Sequence, residues 1–421
     1  MKFKKFLVGV ALLSISLISL SAAGTSETSK GAKSDGGTTI NFRYWADNTD
    51  YSQLMQDIIA KFNAENKGEI TVVGEESPWD GGAYSENLFN VVMGGGDVDC
   101  ATWKLTSTPL FMNNNLLADL TPFIDKWDMK NEIDDNMYNV MRLASSTDDI
   151  YVMPWNVQVL YVYYRPSIFK KAGVKVPTTY AEFLDCIEKC TMDIDGDGTT
   201  DIYGYGMRGA KGGQEPWGSF IYANGGSFKD LTSAASIKGM QDFIDIYQKG
   251  YVPPTAPSDG FSEIISNFKS GLTAMTIHHT GSSIGMEEQF GDDVSAFPFP
   301  KGKGQWTSMG DTETVIFESC KNKEAAFKWV SYLAAGAGQE MWCKGTGNVP
   351  VAKSVASDEF FQNNRFMKAS IDSQSYAGIL PILDTTTEWV STIWPNTVAQ
   401  ALENSISAKK CMEELNSGLY R

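Results

Sequence analysis

Between Ile40 and Trp103 the chain alternates short β-type and longer helix-type segments, and that alternation narrows the fold more than any other feature of the sequence. Ile40, Phe42 and Tyr44 alternate with Asn41 and Arg43, the period-two pattern of a strand. Asp50 then precedes apolar residues at Tyr51, Leu54, Met55, Ile58, Ile59 and Phe62, the spacing of one helix face. A second strand is expected at 70–73, a second helix at 84–93 with Leu88 and Val92 inward, and a third strand at 98–103. The order βαβαβ implies a parallel sheet covered by helices, and hence an α/β fold.

The remaining organisation follows from length and pattern. At roughly 150 residues per domain, 421 residues suggest two or three folding units. Residues 149–164 form a long β-type run with Val152, Val157, Val159 and Val162, long enough to pass from one lobe to another. Helices are expected at 180–190, 233–248, 261–268 and 323–333 and across the last hundred residues. Hydrophobic residues at 42% and charged residues at 20% describe a soluble globular chain with material for real cores.

The N-terminus reads as an export signal: Lys2, Lys4 and Lys5, an apolar run from Phe6 to Leu20, and a small-residue exit at Ser21-Ala22-Ala23. Residues 1–23 are thus expected to be removed, leaving a Ser/Thr/Gly-rich tether at 24–37. The surrounding sequence looks like a lipoprotein processing box in which Ala23 replaces the cysteine that would carry a lipid, so no lipid anchor is expected. Loss of the three lysines takes the formal charge from −16 to −19, which disfavours nucleic acid and anionic lipid as direct partners and favours a neutral or cationic ligand. Cys100, Cys186, Cys190, Cys320, Cys343 and Cys411 are too few for a stapled scaffold; Cys186 and Cys190 share a helix face at i and i+4, where a bond is one option.

Short motifs in order along the chain carry a resemblance. They are Phe42-Arg43-Tyr44-Trp45; Leu117-Ala118-Asp119-Leu120-Thr121-Pro122; and Asp149-Ile150-Tyr151-Val152-Met153-Pro154. Then come Tyr163-Tyr164-Arg165-Pro166-Ser167-Ile168-Phe169, Phe268-Lys269-Ser270-Gly271-Leu272-Thr273-Ala274-Met275 and Glu324-Ala325-Ala326-Phe327-Lys328. Together they resemble the extracellular solute-binding proteins that serve ABC sugar importers, a family that includes maltodextrin-binding proteins. The resemblance implies the two-lobed periplasmic binding protein fold, each lobe a sheet flanked by helices, with a hinge and a cleft between lobes. It places lobe one at 38–155 and 311–351 and lobe two at 156–310 and 352–421. It also implies an exported, monomeric protein in the periplasm or on the outer face of the cytoplasmic membrane, with the membrane permease subunits of an ABC transporter as partners and no cofactor required.

The aromatic supply, 11 Trp, 17 Tyr and 22 Phe, suits a sugar, whose apolar C–H faces stack on flat rings while its hydroxyls need acceptors and donors. By similarity to the family, Trp103, Gln158, Glu215, Trp217 and Trp389 are expected in the cleft, Gln158 standing where a glutamate is found in maltodextrin binders. Trp45, Asp47, Trp79 and Trp155 are candidates from their placement after strands or in Gly-rich loops. His278 is a candidate because His278 and His279 end a strand whose neighbours point to opposite faces, so at most one can line a cleft. Gln158, which removes a carboxylate, and Gly281, where maltodextrin binders offer a tryptophan, both argue against maltodextrin itself as the ligand.

Three further strings bear on chemistry. Asp193, Asp195, Asp197, Thr199 and Asp201 fit a calcium loop with Gly198 at the turn, but the twelfth position is Gly204, which has no carboxylate. Either a distant acid such as Glu215 completes a calcium site or the loop is a metal-free Asx turn. Gly281-Ser282-Ser283-Ile284-Gly285 matches a nucleophile elbow, yet both histidines precede the serine, contrary to that triad's order. Gly204-Tyr205-Gly206-Met207-Arg208-Gly209 matches a dinucleotide fingerprint, but no helix pattern follows it, so a turn is expected. The expected function is non-enzymatic sugar capture; the alternatives are an exported carbohydrate-active enzyme and a receptor for peptides, amino acids or polyamines.

Overall fold

The computed structural model describes residues 37–46, 49–77 and 83–421. The export segment, Ala23 and the tether to residue 36 lie outside the described residues, as do Asp47 and Trp79.

The first strand, β1 (Thr38–Tyr44), buries Ile40, Phe42 and Tyr44 as its alternation requires. It pairs in parallel with β2 (Ile70–Glu76) and β3 (Cys100–Trp103). The intervening helix Thr49–Glu65 buries Met55, Ile58, Ile59 and Phe62, the i, i+3, i+4, i+7 face read from the sequence. Ring contacts fasten layer to layer: Trp329, on the helix Lys323–Ala334, meets Phe42 at 5.3 Å and Phe62 at 5.1 Å, edge to face.

The β-type run divides into two strands. β4 (Val152–Val159) joins the first sheet, while β5 (Tyr161–Tyr164) lies in a second sheet with β6 (Met275–His278) and β7 (Ser295–Phe297), in the order β6-β5-β7. The long β8 (Thr307–Ile316) returns to the first sheet, antiparallel to both β3 and β4. Short β9 (Val349–Pro350) and β10 (Ala377–Gly378) complete that sheet, whose order is β2-β1-β3-β8-β4-β9 with β10 beside β8. The first three strands are parallel as expected, and the returning β8 makes the whole sheet mixed.

Each sheet has its own hydrophobic core. The first runs from Ile40 to Val159 and from Met309 to Ala377; the second runs from Leu160 to Trp306 and from Trp389 to Leu419. A third cluster lies beside the crossing, where Tyr161 and Tyr163 meet Phe268, Met286, Val294, Phe366 and Ala369. The stretch 352–377, assigned by the resemblance to the second lobe, instead gives Ala352, Val355, Phe361, Met367 and Ala377 to the first core. Val157 and Val159, on β4, belong there too, because β4 stays hydrogen-bonded to β8 as far as Val159. No helix among the described residues is long and apolar enough to cross a membrane, and all six cysteines are free and buried, Cys186 and Cys190 included.

Candidate functional site: the cleft between the two cores

A cleft of about 780 Å³ is lined by strands of the first sheet and by the segment that follows β6 of the second. Trp45 follows the carboxyl end of β1, Lys104 that of β3, and Thr280 and Gly281 follow β6 closely. Loops beyond strand ends are where open α/β sheets place their ligands, since the strands themselves are covered by helices. Asn156 and Gln158 on β4, Gly310 and Thr312 on β8, and the turn Gly345-Thr346-Gly347-Asn348 form the wall on the first sheet. Ser283, Ile284 and Glu287, on the helix Ser283–Phe290, form the opposite wall.

The chemistry of these walls is amphipathic. Trp45, Tyr51 and Phe360 supply rings; Asn156, Gln158, Thr312, Asn348 and Asn364 supply amides and hydroxyls that both donate and accept. Gln158 Nε2 donates to Asn348 Oδ1 at 3.3 Å, a long bond between two side chains that can each turn to a ligand. Tyr51 Oη donates to the Thr346 carbonyl at 3.1 Å, which ties the start of its helix to the glycine-rich turn. Among the described lining residues Lys104 and Glu287 carry charge; the Lys104 ammonium lies 5.7 Å from the Trp45 ring, and Glu287 is paired with Arg365 at 2.8 Å.

Of the residues expected in the cleft, Gln158 lines it, and so does Trp45, although it is only 8% exposed and its ring packs edge-on against Tyr84 in the first core. Trp103 does not: it is 1% exposed, donates from Nε1 to Thr108 Oγ1 at 3.0 Å, and packs edge-on against Phe111. Every residue of β3 is buried, so both faces of that strand are core. Trp217 and Trp389 are core residues of the second sheet, with ring centres 6.5 Å apart and Trp389 Nε1 bonded to the Leu415 carbonyl. Trp155 packs on Trp342 at 4.8 Å beneath the first sheet. Glu215 lies in the first turn of the helix Gln214–Ala223 and pairs with Arg208 at 3.4 Å, away from the cleft lining.

His278 is also interior. Its Nδ1 shares a hydrogen bond of 2.8 Å with Ser282 Oγ, and its ring meets Phe261 at 4.3 Å. Burial, reinforced by neighbouring His279 and by Arg208, holds its pKa down at about 3; burial and Arg208 hold that of His279 at about 4. Tyr51, Lys104, Asn156, Thr312, Asn348, Phe360 and Asn364 were not singled out from the sequence. Glycines gave the available signal, because Gly310 inside a strand and Gly345 and Gly347 around a polar turn mark close approach or open space.

The acidic loop brings the carboxylates of Asp193, Asp195 and Asp197 within 4.8 Å of one another, all exposed. Those oxygens already accept loop amides: Gly196 and Gly198 donate to Asp193, Asp197 to Asp195, and Thr199 to Asp197. Asp201 accepts from the Ile194 amide at 2.6 Å. Glu215, the acid considered for completing a calcium site, is not part of this group. The glycines of the fingerprint-like string are packing positions: a Cβ at Gly204 would stand 1.8 Å from the Ile187 carbonyl oxygen, and one at Gly209 2.3 Å from that of Ala256. They are required by chain contact, and the next helix, Gln214–Ala223, begins only after the intervening stretch 210–213, so no helix N-terminus opens at the string itself to receive a phosphate.

Comparison with known proteins agrees with this architecture. A binding protein of Brucella abortus (strain 2308) is 23% identical over 337 residues, 77% of this chain and 78% of that protein. A mannitol-binding protein of Pseudomonas aeruginosa is 25% identical over 285 residues, 63% of this chain and 60% of that one. The structure of a sugar-binding protein from Xanthomonas citri superposes with a TM-score of 0.77 at 19% identity, over 91% of this chain and 96% of that chain, and so shares the two-lobed fold. The sequence pattern of one family matches residues 57–369, more than half of the chain, and the protein belongs to that family, the bacterial extracellular solute-binding proteins.

Proposed function

We propose that this protein is the solute-binding component of an ABC-type carbohydrate importer, holding a neutral polyhydroxylated solute between its lobes and releasing it unchanged to membrane permease subunits. The observation that carries this reading is the interleaving of Trp45, Tyr51 and Phe360 with the amides and hydroxyls of Asn156, Gln158, Thr312, Asn348 and Asn364 in one cleft. A sugar or polyol presents apolar faces and a rim of hydroxyls, and such a wall answers both. The named ligands of two relatives, mannitol and sugar, are of that class. The working location is outside the cytoplasm, in the periplasm or on the outer face of the cytoplasmic membrane.

Ser282 and His278 form the nearest approach to a nucleophile and base, at 2.8 Å. An imidazole with a pKa of about 3 is a weak base at neutral pH, so the pair is a poor starting point for catalysis. The test is thermal melting of residues 24–421 with mono- and disaccharides, sugar alcohols, amino acids and polyamines. A ligand at a hundred times its Kd adds about 2.7 kcal/mol. A rise with sugars or polyols, with the ligand recovered intact, supports the reading; a rise only with amines or amino acids removes the sugar assignment, and product formation removes the non-enzymatic one.

A further inference from the structure

The cleft does not end at its inner polar wall. Glu287, Phe360 and Asn364 line both the cleft and an adjoining depression of about 500 Å³, whose other walls are Glu359, Asn363, Arg365 and Phe366. The two hollows thus adjoin across a shared wall at Glu287, Phe360 and Asn364. Ile284 is 71% exposed, more than any other large apolar side chain among the described residues, and Phe360 is 46% exposed. A single exposed apolar residue needs no explanation. These two face one cavity, Ile284 from the helix Ser283–Phe290 and Phe360 from the short helix Glu359–Gln362 that packs with the first core.

We propose that Phe360 and Ile284 are the two lips of an outer subsite, and that the ligand is an oligosaccharide of at least two rings. The inner ring lies by Trp45, Gln158 and Asn348, and the next ring presents its apolar face to Phe360 and Ile284. This rests on the carbohydrate reading given above. At about 780 Å³ the cleft sits high in the range of roughly 300–1,000 Å³ that encloses drug-sized ligands, more room than one sugar ring fills. Glu359 and Asn363, exposed at the rim, supply hydrogen-bonding groups for hydroxyls of the outer ring.

The test is calorimetric titration of wild type, Phe360→Ser and Ile284→Ser with the mono-, di- and trisaccharides of glucose, galactose, mannose and xylose. Both side chains are exposed, so unchanged melting temperatures will show that the variants fold. The expected result is wild-type affinity that rises from one ring to two, and a loss of about tenfold for the longer sugars in each variant, with affinity for single rings, where measurable, within about twofold. Binding of single rings as tight as that of longer sugars, or equal losses at every length, overturns the outer subsite and leaves the carbohydrate reading standing. No binding of any of these saccharides overturns the outer subsite, and the melting panel with sugar alcohols, amino acids and polyamines then decides the carbohydrate reading.

Discussion

Arg365 Nη2 donates to Glu287 Oε1 at 2.8 Å, joining a helix that packs on the first core to the helix that carries Ile284 on the opposite wall of the cleft. The same guanidinium donates from Nε to the Val294 carbonyl at 2.8 Å and from Nη2 to the Gly291 carbonyl at 3.0 Å. Its helix, Arg365–Ser373, reaches the first core through Met367 and the crossing cluster through Phe366 and Ala369. Ser370 Oγ accepts the Val159 amide at 3.3 Å, one residue before the chain leaves the first sheet. This helix is thus a wedge fixed to both sides of the crossing.

Removing the wedge's clamp should loosen the crossing. Arg365→Ala is predicted to lower stability by about 1–3 kcal/mol, the scale of lost charge-assisted hydrogen bonds with the half-exposed ion pair adding little. Arg365→Lys should recover only part of this, since an ammonium cannot reproduce the planar fork. Urea unfolding measures it; a change within about 0.3 kcal/mol would show that the clamp is idle.

The buried tryptophans and the cleft residues should separate cleanly. Trp103→Phe, Trp217→Phe and Trp389→Phe are predicted to cost roughly 1–3 kcal/mol of stability while leaving ligand affinity within about twofold. Trp45→Ala and Gln158→Ala should instead weaken the ligand by about tenfold or more. Parallel melting and titration of the five variants decides; a Trp103 or Trp217 variant that folds normally yet fails to bind contradicts the placement of those rings in the cores.

Stability should fall on mild acidification, for a reason traceable to two side chains. His278 and His279 have folded pKa values of about 3 and about 4, below their ordinary 6.5, chiefly because burial disfavours the imidazolium. The unfolded chain therefore binds protons below pH 6.5 that the folded chain refuses, so their stabilising contribution is complete above 6.5 and declines as pH falls toward 4. The double variant His278→Asn, His279→Asn should flatten the melting temperature between pH 6.5 and 4.5. An unchanged slope would assign it to carboxylates.

The acidic loop should keep its shape without a metal. Its carboxylates are engaged by amides of the same loop, and amide donation from Gly198 and Gly196 holds the Asp193 carboxyl below the usual range. Chelator treatment is predicted to leave the melting temperature unchanged and calcium titration to give no heat. A stoichiometric heat lost in Asp195→Asn would establish a calcium site instead.

The sequence made the framework readable where one face of an element is buried and the other wet. The helix Thr49–Glu65 and strand β1 carry clean periodicities, and both lie where they were expected. The run through Val152 and Val162 does pass from one sheet to the other, with Leu160 between the two strands. Periodicity fails where both faces are covered. Along β3, and along most of Gln214–Ala223, nearly every residue is buried, so nothing in the pattern told Trp103 or Trp217 apart from a ring on an open wall. The cleft itself is assembled from residues as distant as Trp45, Asn156, Ile284 and Asn348, brought together by β8 crossing back to the first sheet. No local spacing encodes that meeting.

Whether a sugar-class solute is held between the two lobes is decided by small-angle X-ray scattering of residues 24–421 with and without a saturating ligand. Capture between the lobes should give a smaller radius of gyration with ligand, and no such change in Trp45→Ala at the same ligand concentration. Full binding with no change in radius, or contraction that survives loss of Trp45 and Gln158 together, would contradict it.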